Sequence, residues 1–472
     1  MGGSIDICCW RELWRLTSGF TPCELVTNKL NGIQNQLEQG LCYFKPSSTE
    51  SYSKFAADHK KFEKVLPFIE KLQQFIGLDS LQTWDVFRHY LSSQYHGNAE
   101  NSLQNFTFMD IRINQLLIEV WNFYNSERMF MLKQLKLMLE YKDSNHIYEK
   151  EFSSVIKNIS LDKLKISLIK QFEYLVKETP PTKVQNGEMV SLAMQNTWME
   201  RNLREQVEIL LLILLVVEEK DLSIQEFKKL FSLFKIHNFG RQLSYSKHLE
   251  EVHNAAVLKI VYCEVALFYK IVSDSKSLNV RSIIQNIKED IEVELIRLQQ
   301  NEEHGALLLV WMLLLLQDPQ GEELFQARYQ HFGTKALQLR VFEFLHKKIT
   351  HPMFSDKSKC AIIVRKSIYH ILQMMCNKFD GDGSVSQHPG VVELCSELLT
   401  DPRLAAAFWD SVQNPEAPGV VSLWNTALEF FPYDFKAISI FILGLSKAGH
   451  ESLHNLLNEL ESLPVYTELY KP

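Results

Sequence analysis

The residues best able to do chemistry sit near the end of the chain. His450-Glu451-Ser452-Leu453-His454 sets two imidazoles one helical turn apart with a carboxylate after the first. In H-E-x-x-H zinc proteases the two histidines hold the metal and the glutamate polarises a water. Such a site needs a third ligand and a cleft. Downstream, only Glu459, Glu461 and Glu468 offer a carboxylate, no histidine follows, and Asn455-Leu456-Leu457 stands where the extended H-x-x-G-x-x-H motif would continue. The pattern fixes three positions only and arises often by chance, so His450, Glu451 and His454 are expected on an ordinary helix face.

Asp380-Gly381-Asp382-Gly383-Ser384 has the alternating acids of a calcium loop. Started at Asp380, an EF-hand frame puts its glycine on Val385 and its closing glutamate on Val391; started at Lys378, glycine falls correctly on Gly383 but Pro389 takes the last position. Neither frame supplies the bidentate carboxylate that closes the cage, and a solvated turn is expected. Gly381 and Gly383 give G-x-G without a third glycine, too little for a dinucleotide site. Gly444-Leu445-Ser446-Lys447-Ala448 has the outline of a nucleophile elbow, but that motif joins a strand to a helix and both flanks here are helical in pattern. The eight cysteines, Cys8, Cys9, Cys23, Cys42, Cys263, Cys360, Cys376 and Cys395, form no C-x-x-C pair; reduced, mostly buried thiols are expected. No catalytic residue, metal site or cofactor site is expected.

The elements around these residues read as helices. Glycine and proline number 18 and 14 of 472, about 7% against about 12% in average proteins. Ile284, Ile287, Ile291, Leu295 and Leu298 recur at spacings of three or four, as do Ile113, Leu116, Val120 and Tyr124. Thr21-Pro22-Cys23-Glu24 and Ser223-Ile224-Gln225-Glu226 have the form of capping boxes, and Asp318-Pro319 and Asp401-Pro402 that of a cap followed by proline in the first turn. Breaks are expected at Lys45–Ser53, Thr179–Gly187, His351–Lys359, Asp380–Gly390 and Asn414–Gly419, dividing the chain into roughly twenty helices. No alternating strand pattern stands out. The fold class is all-α: an irregular α-helical solenoid built from antiparallel helix pairs, one segment over residues 1–472, with no fixed sequence repeat.

The net charge of −7 and basic clusters no larger than Lys60-Lys61 or Lys347-Lys348 argue against nucleic acid as a partner. Trp121, Trp198, Trp311, Trp409 and Trp424 are scattered without a basic stripe and fit a core. The apolar runs Ile209–Val217 and Ala306–Leu316 fall short of the roughly 20 residues of a spanning helix; both are expected to be central core helices, and no transmembrane segment is expected. Arg11, Glu12 and Arg15 interrupt any amino-terminal signal core.

A resemblance then emerges from strings in fixed order: RELW (Arg11 to Trp14), GLCYFKP (Gly40 to Pro46), FIGLD (Phe75 to Asp79), LREQ (Leu203 to Gln206), HGALLLVW (His304 to Trp311), GTKALQLRVFEFL (Gly333 to Leu345), LLTDPRLAAAFW (Leu398 to Trp409) and YTELYKP (Tyr466 to Pro472). Together they resemble the amino-terminal region of the nucleoporin 188 family, large inner-ring scaffold proteins of the nuclear pore complex. The resemblance implies an irregular helical superhelix, distantly similar to nuclear transport receptors. It implies a structural, non-enzymatic role at the nuclear envelope and nuclear pore, supporting nucleocytoplasmic transport with other nucleoporins as partners. For full-length members it also implies association with nucleoporin 93, through a groove in a carboxy-terminal solenoid that lies beyond the region matched here. Family members are several times longer, so the chain is expected to be truncated relative to them. The alternative function is that of a soluble helical-repeat transport receptor or adaptor. The apolar positions of the last stretch, above all Tyr466, Leu469 and Tyr470, are expected to form an exposed interface at an unfinished solenoid edge.

Overall fold

The structure is a computed structural model of the whole chain. It describes residues 9–19, 21–94, 110–179, 191–236, 249–273, 291–297, 301–316, 326–350, 358–379, 385–413 and 419–461. The chain divides into two compact units, Met1–Ile260 and Val261–Pro472.

In the first unit the helices are α1 (Trp10–Ser18), α2 (Cys23–Asn31), α3 (Gln34–Gln39), α4 (Thr49–Asp58), α5 (Leu66–Ile76), α6 (Ser80–Gln94), α7 (Asp110–Tyr141), α8 (Glu149–Lys157), α9 (Leu161–Lys177), α10 (Leu192–Val217) and α11 (Ile224–Ile236). Helix α12 (Glu250–Ser273) contains the boundary between the units. The second unit continues with α13 (His304–Leu316), α14 (Gln326–Gln338), α15 (Val341–Ile349), α16 (Lys359–Phe379), α17 (Val391–Leu398), α18 (Pro402–Val412), α19 (Val421–Glu429), α20 (Lys436–Lys447) and α21 (His450–Glu461). Among the described residues the β-type pairing is a single isolated bridge between Pro46 and Leu78.

Local chemistry accounts for many helix starts. The Ser223 amide donates to Glu226 Oε2 at 2.8 Å and the Glu226 amide to Ser223 Oγ at 3.3 Å, a complete reciprocal capping box. Asp401 accepts the Arg403 amide at 2.9 Å with Pro402 in the first turn. Ser160 and Ser191 cap α9 and α10 in the same way. The expected box at Thr21 does not form. Pro22 is the cap residue of α2 and makes no side-chain cap bond, while the Thr21 amide donates to the Tyr148 hydroxyl at 2.7 Å. A tertiary bond has taken the segment the box would have used. The break expected from Lys45 closes early, because Ser48 caps α4 and the helix is under way at Thr49. Asp318-Pro319, the acidic turn at Asp380–Ser384, and Ile284, Ile287 and Leu298 lie outside the described residues.

The apolar runs behave as core helices. Every residue of α13 is buried, and so is every residue from Ile209 to Val217 in α10. Helix α12 is long and apolar enough to cross a membrane, and most of its apolar stretch is buried; Ile260 to Phe268 are all buried. Ile113, Val120 and Tyr124 are buried along one face of α7, as their spacing predicts, while Leu116 is half-buried.

In the first unit α1 and α10 pack on α7, and α9 packs on α10. Two ion pairs join α7 to α10, Arg128–Glu205 at 2.8 Å and Lys136–Glu208 at 2.6 Å, and a third, Lys142–Glu219 at 2.5 Å, joins the turns just past their carboxy-terminal ends. Partners that ascend in step require α7 and α10 to run parallel, which the intervening α8 and α9 permit. In the second unit α13 packs on α14, α15 on α17, α17 on α20, and α20 on α21. Gly444 makes the α17–α20 contact possible: a Cβ there would stand 2.3 Å from the Ser396 carbonyl oxygen. Ser396 Oγ also donates to the Ile440 carbonyl at 2.6 Å.

Candidate interaction surface

The H-E-x-x-H residues fall on α21, with His450, Glu451 and His454 all exposed. His454 Nε2 lies 3.5 Å from Asn458 Nδ2. Among the described residues no group of three histidine, cysteine or acidic side chains is placed to hold a metal ion. The buried member of the motif is Ser452. It accepts a hydrogen bond from the Trp409 indole at 3.0 Å and donates to the Leu445 carbonyl at 3.0 Å, tying α21 to α18 and α20. Gly444 and Ser446 lie within α20 and not on a strand-to-helix turn, and Ser446 bonds its own helix at Leu443. Among the described residues no disulfide forms; Cys263, Cys360, Cys376 and Cys395 are buried, Cys23 and Cys42 exposed.

What the second unit does offer is exposed apolar surface. The turn after α19 carries Phe430, Tyr433 and Phe435 outward, Tyr433 at 96% exposure. Leu443 follows Phe435 by two helical turns on the same side of α20, and Leu453 and Leu457 are exposed one turn apart on α21. Aromatic side chains pack beneath it. Trp424 meets Phe441 edge-on at 5.8 Å, and Phe408 stands edge-on to Trp409 at 5.1 Å. The Lys436 amide donates to Asp434 Oδ1 at 2.8 Å, which fixes the turn against the start of α20. The signal available in the sequence was the aromatic density of Phe430-Phe431-Pro432-Tyr433-Asp434-Phe435 around a proline. Tyr466, Leu469 and Tyr470, the interface residues expected from sequence, lie outside the described residues.

The first unit holds a buried charge network that the sequence did not reveal. Arg128 grips Glu205 with two bonds of 2.8 Å and reaches the Tyr124 hydroxyl at 3.3 Å. Burial disfavours both charges, yet their mutual attraction prevails: it holds the Glu205 carboxyl below its ordinary range and the Arg128 guanidinium above its own. Arg201 engages Glu178 through two bonds of 2.7 and 2.8 Å and lies 4.0 Å from Glu205. Glu127 serves another purpose. Its carboxylate receives the Trp10 amide at 2.5 Å and the Arg11 amide at 3.3 Å, and so caps α1 from a distant part of the chain. Burial pushes the Glu127 carboxyl up to about 7 against the opposing pull of those amides. These groups are spent on joining helices.

Comparison with known proteins agrees with this architecture. A family profile described as "Nucleoporin Nup188, N-terminal" matches residues 26–472. The chain is 33% identical over 469 residues to nucleoporin Nup188 of Drosophila melanogaster, covering 98% of this chain and 25% of that protein. It is 25% identical over 479 residues to the Xenopus tropicalis protein and 23% identical over 481 residues to the human one, in each case covering 98% of this chain and 27% of the relative. It therefore spans about a quarter of the length of the curated relatives it matches. With a match running from Val26 to Pro472, the chain belongs to the nucleoporin Nup188 family and corresponds to its amino-terminal region.

Proposed function

We propose that this chain is a non-enzymatic scaffold segment of the inner ring of the nuclear pore complex, acting at the nuclear envelope by binding other nucleoporins. The observation that carries the reading is the family match over residues 26–472. The architecture supports it: helices bury their apolar faces against neighbours within each unit, and the buried charges are spent on helix–helix contacts. The helix pairs α13–α14 and α20–α21 are the kind of building block from which solenoids are made, and we read residues 1–472 as one irregular solenoid segment. The exposed row from Phe430 to Leu457 and the stretch with Tyr466, Leu469 and Tyr470 form the proposed assembly edge. Nucleoporin 93, implied for full-length relatives, is a partner to be tested directly.

The test is localisation with proximity labelling. A tagged chain expressed in Drosophila cells should give a nuclear rim and label inner-ring nucleoporins. A diffuse protein that binds the GTPase Ran or Phe-Gly repeats would instead support the transport-receptor alternative. Small-angle scattering checks the solenoid, since an extended superhelix exceeds the radius of gyration of a compact bundle of equal length.

A further inference from the structure

We infer that a cleft in the first unit is a docking site for an acidic peptide segment of a partner protein, one that offers an apolar side chain flanked by carboxylates. The cleft, about 340 Å³, lies between the Leu41–Pro46 segment, the end of α5, and helices α7 and α9. That volume falls in the lower part of the range of about 300–1,000 Å³ usual for ligand sites. Leu41, Phe44, Ile76, Leu78 and Leu175 give it apolar walls, and Tyr174 stands beside them at 62% exposure. Its charged side chains are Lys45, Lys170 and Arg128, the last already paired with Glu205, and no carboxylate lines it.

Lys170 differs from the other lysines of its helix. On α9, Lys163, Lys165 and Lys177 each have a carboxylate partner. Lys45 and Lys170 are exposed at the cleft, and among the described residues neither ammonium has an ion-pair partner. In a chain of net charge −7, they make a local positive opening over an apolar floor. The wall that carries Lys45 is built firmly. The Lys45 amide donates to Gln82 Oε1 at 2.8 Å and its carbonyl accepts the Asp79 amide at 2.9 Å. Gly40, at φ +53°, lets the chain turn close to Gln171, whose Oε1 accepts the Leu41 amide at 3.0 Å. The backbone is thus fixed while the ammonium is left for a ligand.

Charge complementarity selects the occupant. Two lysines at one cleft do not make the basic stripe a nucleic acid needs, whereas an apolar pocket with a cationic mouth suits a short segment with one anchoring side chain and adjacent Asp or Glu. The inference goes beyond the assembly reading and is tested without it: nuclear-rim localisation can fail while peptide binding persists, and the reverse.

The experiment selects phage-displayed random peptides on the whole chain, with counter-selection on the double variant Lys45→Glu/Lys170→Glu. Both lysines are exposed, so the variant is expected to fold, and circular dichroism checks that. The expected result is enrichment of peptides with Asp or Glu beside Phe, Trp or Leu. Synthetic copies should bind about tenfold more weakly to the double variant, while the exposed Lys447→Glu control on α20 binds as the parent does. Tyr174→Ala should also weaken them. Enrichment of neutral or basic sequences, equal binding to the double variant, no enriched peptide at all, or binding of single-stranded DNA or polyphosphate in preference to the peptides would overturn the inference.

Discussion

Changing Glu205→Gln removes the counter-charge of Arg128 while keeping the shape of the side chain. Glu205 is fully buried and Arg128 nearly so, so the guanidinium would keep its charge with a neutral amide in place of its bidentate partner. Breaking one side of such a pair costs about 3–5 kcal/mol. Replacing the pair together with apolar side chains of similar volume, Arg128→Met with Glu205→Leu, removes both desolvated charges and is often neutral or stabilising. The residual cost here is the Tyr124 hydroxyl, which loses its Arg128 partner, about 1 kcal/mol. Arg201 keeps Glu178 in either background. The double variant should therefore recover at least about 2 kcal/mol relative to the single one, a positive coupling in a double-mutant cycle. Urea unfolding followed by circular dichroism measures this, fitted as two transitions if the two units unfold separately. The loss should change little with salt, because a buried pair is screened weakly. A cost below about 1 kcal/mol for Glu205→Gln, or a double variant as weak as the single, would refute the claim that the pair is an obligate buried unit.

Glu127 supplies a pH test. Its folded value of about 7 exceeds the ordinary 4.5, so the folded state holds the proton more tightly and stability falls as pH rises from 4.5 to 7, by at most about 3 kcal/mol; Glu127→Gln, which keeps an acceptor for the Trp10 amide, should flatten that slope, and an unchanged stability–pH profile would count against it. Gly444→Ala forces a methyl into the Ser396 carbonyl and should cost about 2 kcal/mol or more, seen as a lower melting temperature, while Ser446→Ala on the same helix should be neutral. Ser452→Ala strips the Trp409 indole of its acceptor and should cost about 1–3 kcal/mol, whereas His450→Ala and His454→Ala should be silent in both stability and zinc content. Replacing Tyr466, Leu469 and Tyr470 with serine should reduce self-association in sedimentation without lowering the melting temperature; unfolding on replacement would mean these side chains are core.

What could be read from the sequence was whatever is local. Ser223 with Glu226 and Asp401 with Pro402 cap their helices because the groups involved are three residues apart or fewer, and the apolar runs in α10 and α13 announce burial by composition. Tertiary geometry overrode local signals elsewhere. Thr21 fails as part of a capping box because the Tyr148 hydroxyl claims its amide. Arg128 and Glu205 are 77 residues apart on amphipathic helices, where a charge ordinarily means a solvated face; nothing at either position announces its partner. H-E-x-x-H drew attention to three exposed residues and away from Ser452, whose two bonds join three helices. The aromatic turn at Phe430–Phe435 was visible as composition, but its exposure was not.

The ladder of charges between α7 and α10 also sets how this unit answers a mechanical load. Arg128 and Lys136 meet Glu205 and Glu208 along two helices running the same way, and Lys142 meets Glu219 just past their ends. A slip of one turn in one direction would bring Arg128 opposite Arg201, like charge against like; in the other it would press the guanidinium onto Ile209 in the apolar core. Neither neighbouring alignment is a resting place, so the pair has no series of small steps by which to creep under shear, and the one-turn ratchets that some switching proteins use are closed to it. Pulled along its axis, the α7–α10 pair should act as a stiff strut, holding its length until the ladder fails together.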